Sequence, residues 1–198
     1  VDKNNAGGEV SGWLLLRRQN KMNLELPIAF DSELLVIGYG NSLRRDDGVG
    51  PRVAEAIEEL NLPGVRAVIC QQLSPEHADF VARARRVVFV DAAVDETNGV
   101  KFRELSPGTT TQLMAHAADP RTLLALARDV FGHAPEAWWL TIPAAKLGFG
   151  TDFSPEAEAG FQKAIVEIRR LAGEICTSPG KIYEASSNRR EASAVAST

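Results

Sequence analysis

The residues best placed to do chemistry in this chain are two tandem acids, Asp46 and Asp47, an isolated acid, Asp91, and one of three histidines, His116. Asp46 and Asp47 lie near the end of a glycine-rich stretch, Gly38-Tyr39-Gly40-Asn41-Ser42-Leu43-Arg44-Arg45-Asp46-Asp47-Gly48-Val49-Gly50, which begins as a short apolar run ends. Asp91 closes a second apolar run, and His116 stands just ahead of an Asp119-Pro120 helix start. Two carboxylates and an imidazole suit a borderline divalent ion such as nickel or zinc. They equally suit an acid–base constellation for hydrolysis. Each also has a bland alternative. Asp46 and Asp47 would complement a helix macrodipole, Asp91 would cap a turn, and His116 would be structural. His77, inside an expected surface helix, and His133, in a helix-end turn after Gly132, read as solvated.

Other chemistries fit poorly. The loop opens as Gly38-Tyr39-Gly40, but Leu43 stands where a dinucleotide fingerprint needs its third glycine, and Cys70-Gln71-Gln72 offers no acid for a ribose. Two acids at the far end of the loop would oppose a pyrophosphate. No nucleophile elbow, zinc-protease helix motif or P-loop lysine occurs. Cys70 and Cys176 lack zinc spacing, are too few for a disulfide framework, and read as small inert residues. A net charge of −4 over 198 residues argues against nucleic acid, whose phosphates need a basic surface. With 44% hydrophobic and 24% charged residues, the composition is that of an ordinary globular protein. No apolar run is long enough for a bilayer and no signal-peptide pattern appears, so the expected location is cytoplasmic.

The elements that must position these residues alternate. Apolar runs over 33–39, 65–70, 86–90 and 137–142 predict buried strands, and 100–105, with polar–apolar alternation, predicts a strand nearer an edge. Helical spacing spans 47–60. Ser74-Pro75-Glu76, Asp119-Pro120 and Ser154-Pro155-Glu156 are helix starts for 75–84, 120–131 and 155–172. The expected fold class is α/β: a three-layer α/β/α sandwich on a five-stranded, mostly parallel twisted sheet with one antiparallel strand. In such sheets ligands bind beyond the C-terminal strand ends, which is where an acid after the first strand, Asp91 and His116 can converge. Residues 1–32 read as a disordered leader, with Met22 a candidate true start, 33–172 as the domain, and 173–198 as a flexible tail.

The Gly38 to Gly50 stretch resembles the signature of hydrogenase maturation proteases, a glycine–asparagine loop followed by two acids and Gly-x-Gly. The likeness continues through Gln72-Leu73-Ser74-Pro75-Glu76, Val87-Val88-Phe89-Val90-Asp91-Ala92, His116 with Leu123 seven residues on, Ile142-Pro143, and Phe149-Gly150 to Ser154-Pro155, covering about residues 33–172. The resemblance implies an endopeptidase that removes the C-terminal extension of a nickel–iron hydrogenase large-subunit precursor after nickel insertion. It implies Asp47, Asp91 and His116 as catalytic and metal-contacting residues, with Asp47 favoured over Asp46. Gly38, Gly40, Asn41 and Asp46 would form the substrate and oxyanion loop. Nickel would arrive in the substrate and not stay tightly bound to the isolated enzyme. Whether water is activated by metal or by a carboxylate pair stays open, as does a non-catalytic nickel checkpoint or chaperone on the same fold. The expected working form is a monomer.

Overall fold

Apolar runs bounded by turn formers build the sheet. The strands are β1 (Leu34–Tyr39), β2 (Val65–Cys70), β3 (Arg86–Ala93), β4 (Lys101–Leu105) and β5 (Glu136–Pro143). The helices are α1 (Val49–Glu59), α2 (His77–Ala82), α3 (Pro120–Phe131) and α4 (Pro155–Thr177), with a turn of 3-10 helix, Arg45–Gly48, ahead of α1. The structure, a computed structural model, describes residues 31–94, 99–108 and 119–177. His116, Met22, Asn98, and nearly all of the expected leader and tail lie outside the described residues.

The strand order is β2-β1-β3-β5-β4, parallel throughout except for the antiparallel β4–β5 pair. The α/β class and the five-stranded, mostly parallel sheet therefore stand as expected. Period-two alternation assigns opposite sides of each strand to two cores. Leu35, Ile37, Val87 and Phe89 pack with Val81, Leu123 and Leu124 beneath α2 and α3. Leu34, Val36, Val88, Val90, Leu140 and Ile142 pack with Val53, Ile57 and Ile168 beneath α1 and α4. Each fully buried Val, Leu or Ile contributes about 1.5–3 kcal/mol, so these two cores set the strand register. On the β4 edge, Phe102 stacks on Trp138 with ring centroids 6.0 Å apart and planes 9° from parallel. No helix of the described residues is long and apolar enough to cross a membrane.

Several expected boundaries move. Asp31 and Ser32 belong to the domain and not to a leader: the Asp31 amide donates to the Arg83 carbonyl at 2.8 Å, and Ser32 bridges Ala84. The last helix continues to Thr177, past the expected stop at Ala172. Asp119 caps α3 through its carboxylate, which accepts from the Arg121 amide at 2.8 Å, and the Ser154 hydroxyl accepts from Ala157 in α4 at 3.2 Å. Ser74 does not act this way. A tight turn separates it from α2, which begins at His77 without a side-chain cap, and the Ser74 hydroxyl meets His77 Nδ1 at 3.0 Å instead. His77 is accordingly half-buried and bonded, not simply solvated.

Candidate functional site

The chain leaves β1 for β2 on one side and returns to place β3 on the other, so the ends of β1 and β3 flank the point where strand order reverses. Close backbone approach builds this corner. A Cβ on Gly38 would run into the Gly50 carbonyl, and one on Gly50 would come within 2.6 Å of the Val90 carbonyl oxygen. The start of α1 is thereby seated directly against the ends of β1 and β3. Gly40 has φ +138°, a conformation that L side chains rarely adopt, and a Cβ there would meet the Asp47 carbonyl.

Asp47 and Asp91 are brought to the same corner. Asp47 is half-buried, and its Oδ2 accepts from the Asn41 amide at 3.3 Å. Asp91 is half-buried within β3, paired with Thr141 of β5, and its Oδ1 accepts from the Ala92 amide at 2.8 Å. Burial, with the nearby negative charge of Asp47 adding to it, pushes the Asp91 pKa up to about 6 against the pull of Tyr39 and the Ala92 amide. A partly desolvated carboxylate with a second negative charge nearby favours a bound proton or cation at Asp91.

Tyr39 and Trp139 complete the wall, and no sequence signal marked either. Tyr39 lies one step past the Gly38–Val90 pair, beside Asp91, and is 8% exposed. Its hydroxyl and the Trp139 Nε1 are buried without a hydrogen-bond partner of standard geometry. Burial first, and then the adjacent Asp91, raise the Tyr39 pKa and keep the phenol protonated. Asp119, the α3 cap, also exerts its charge on Tyr39, which brings the start of α3 within electrostatic reach of the corner.

Asp46 does something different from its neighbour. It is 0% exposed. Oδ2 accepts from the Ala145 and Lys146 amides at 2.8 and 2.7 Å, and Oδ1 from the Ser154 amide at 2.7 Å. Burial alone would raise its pKa, but the amides of Ser154, Lys146 and Ala145 outweigh it and hold the carboxyl below its ordinary value. Asp46, expected in the substrate loop, is thus the staple that fastens that loop to the β5–α4 connection. The fastening continues outward. The Arg45 amide donates to Gly150 O at 2.9 Å, the Gly150 amide to Leu43 O at 3.0 Å, and Arg45 pairs with Asp152 at 3.3 Å. Arg45 itself sits at φ 49°.

The oxyanion expectation narrows as well. The Gly40 amide donates to Cys70 O at 3.3 Å and the Asn41 amide to Asp47, while Asn41 Oδ1 accepts from Leu43 at 2.9 Å. Of the donors expected there, Asn41 Nδ2 has no partner among the described residues. Cys70 is half-buried against the α2–α3 core, and burial raises its thiol pKa, in keeping with an inert role. A cleft of about 430 Å³ opens between the end of β5 and α4, lined by Val94, Val100, Ala144, Ala145, Gly160 and Lys163. None of the candidate acids lines it. Among the described residues no three His, Cys, Asp or Glu side chains converge as a metal cluster.

The hydrogenase 2 maturation peptidase of a Thaumarchaeota archaeon superposes with a TM-score of 0.55 at 24% identity, over 72% of this chain and 99% of that one. The hydrogenase maturating endopeptidase HybD of E. coli gives 0.56 at 21% identity, over 72% and 93%. The [NiFe] hydrogenase maturation protease HybD of Thermococcus kodakarensis gives 0.53 at 24%, over 71% and 99%. The chain has the fold of these proteins. By sequence, a stretch of 30 residues is 57% identical to the delta subunit of coenzyme F420 hydrogenase of Methanothermobacter thermautotrophicus, spanning 15% of this chain and 19% of that relative. No family model matches the chain.

Proposed function

We propose that this protein is an endopeptidase of hydrogenase maturation, which removes the C-terminal extension of a nickel–iron hydrogenase large-subunit precursor once nickel is in place. The observation that carries the reading is the coupled Asp47–Asp91 pair at the β1–β3 reversal, in a fold shared with proteins named as maturation peptidases. Nickel belongs to the substrate in this account. The oxygen donors of Asp47 and Asp91 fit a cation presented to them transiently, because a positive charge offsets the cost of holding the half-buried Asp91 ionised beside Asp47. His116 is the proposed third contact. It lies three residues before Asp119 in sequence. The proposed working form is a cytoplasmic monomer without tightly held metal of its own.

The residues support a hydrolytic step as follows. Asp91, with a pKa of about 6, is ionised near neutral pH yet basic enough to take a proton from water. The water oxygen adds to the scissile carbonyl, and Asn41 Nδ2 donates to the oxygen that becomes negative. The C–N bond then breaks, and the proton held by Asp91 passes to the leaving amine. Nickel in the substrate would position the peptide and add to the polarisation of the water or carbonyl. Incubation of purified protein with nickel-loaded precursor tests the reading. Release of a single C-terminal peptide is the expected result; binding of precursor without shortening would make the protein a checkpoint instead.

A further inference from the structure

Beside the acids, two large apolar side chains stand in water on loops that are bonded to each other. Leu43 is 64% exposed and Phe149 is 87% exposed. The Gly150 amide donates to the Leu43 carbonyl at 3.0 Å, and Arg44 bridges Gly150. The knuckle so formed is held at several further points. Arg44 Nε donates to Leu147 O at 3.3 Å, Arg45 Nε to Phe149 O at 3.1 Å, Arg45 pairs with Asp152, and Asp46 fastens the base. A phenylalanine at the end of a loose loop could fold back onto the surface. Here the backbone fixes it outward, as a pre-organised aromatic anchor. The rim is basic: Arg44 and Lys146 are exposed, and neither has a carboxylate partner among the described residues.

We propose that the Leu43–Phe149 knuckle is a docking element for the folded body of the protein substrate, whose complementary face is an apolar pocket rimmed by carboxylates. The inference rests on the endopeptidase reading and specifies how that site recognises its partner. The occupant is the substrate's folded body and not its excised tail. A convex, rigid element engages a concave surface, whereas the segment to be cut must reach the acids in extended form. Arg44 and Lys146 supply the charge complementarity that selects the acidic rim. The knuckle shares a continuous chain with Asp47, so docking here sets the distance from the body of the substrate to the cleavage point.

The experiment uses the full chain and nickel-loaded hydrogenase large-subunit precursor from the same organism. KM and kcat are measured for wild type, Phe149→Ser, Leu43→Ser and Lys146→Glu, the last of which keeps the backbone amide that binds Asp46. Dissociation constants are measured in the Asp91→Asn background, which removes turnover. The expected result for Phe149→Ser is a KM and Kd raised about tenfold or more, with kcat at saturation and melting temperature retained. Lys146→Glu gives a smaller rise that disappears at high salt. Unchanged KM and Kd in both knuckle variants would overturn the proposal. So would a wild-type self-association abolished by Phe149→Ser, since the face would then serve a second copy of the chain. If wild type leaves the precursor uncut, the endopeptidase reading fails, and the Kd values judge the knuckle separately. Weakened binding in Phe149→Ser upholds docking, and absence of any binding removes both.

Discussion

Asp46→Asn separates the stapling role of Asp46 from the chemistry proposed for Asp47. The native carboxylate accepts three backbone amides at 2.7–2.8 Å. In asparagine, one oxygen can keep the Ala145 and Lys146 amides, but the NH₂ group then faces the buried Ser154 amide, donor against donor. A buried donor left unmade costs about 1–3 kcal/mol, and the charge assistance to the other two bonds is also lost. The sum is about 2–4 kcal/mol, or roughly 5–15 °C in melting temperature for a domain of this size. Asp46→Ala leaves all three amides without the carboxylate. Because Ala145 and Lys146 are reachable by water and Ser154 is not, its cost is about 3–6 kcal/mol. The native pKa is lowered from an ordinary 3.8, so this stabilisation is complete above about pH 4 and fades as pH falls through the native value. Denaturant melts of wild type and both variants at pH 7 and at pH 3 measure it, and the gap to wild type should narrow at pH 3. Wild-type melting in Asp46→Asn at pH 7 would refute the staple. Intact stability with abolished cleavage in Asp46→Ala would make Asp46 part of the chemistry.

Four further outcomes follow from the same geometry. Asp91 carries a pKa raised to about 6, so its ionisation costs the fold stability as pH rises from about 4 to 6. Asp91→Asn should therefore melt higher than wild type at pH 7 and lose that advantage below pH 4. The wild-type cleavage rate should rise with pH through about 6, as followed on a fixed precursor concentration. Gly38→Ala forces apart β1 and α1 where the Gly50 carbonyl and the Ala54 Cβ already fill the space. It should destabilise by about 1–3 kcal/mol or more in urea melts. Gly40→Ala should displace Asp47 and lower kcat more than it lowers melting temperature.

The parts of the fold legible in the sequence are those set by local period and local caps. Val87 to Val90 read as a buried strand because apolar residues on both faces are what a sheet covered by helices requires. Asp119-Pro120 and Ser154-Pro155 marked helix starts through chemistry contained within four residues. Ser74-Pro75-Glu76 carries the same local signal, yet there the His77 ring occupies the serine and the helix begins later. The family resemblance favoured Asp47 over Asp46, but the stapling role of Asp46 was not legible. Adjacent acids at a helix start look alike in sequence, and what turns Asp46 inward is a set of amides 99 to 108 residues further along the chain. Tyr39 and Trp139 were hidden for a similar reason. Each reads as one more strand residue until the strand order places Tyr39 beside Asp91 and Trp139 beside Tyr39.

Mass spectrometry of a hydrogenase precursor shows whether Asp47 and Asp91 are needed to cut it. Nickel-loaded large-subunit precursor is incubated with wild type, Asp47→Ala and Asp91→Ala, each first shown to melt as a folded protein. The account predicts one new C-terminus and one released peptide with wild type, and intact precursor with either variant. Uncut precursor with wild type, or cleavage by Asp91→Ala at the wild-type rate, would contradict it.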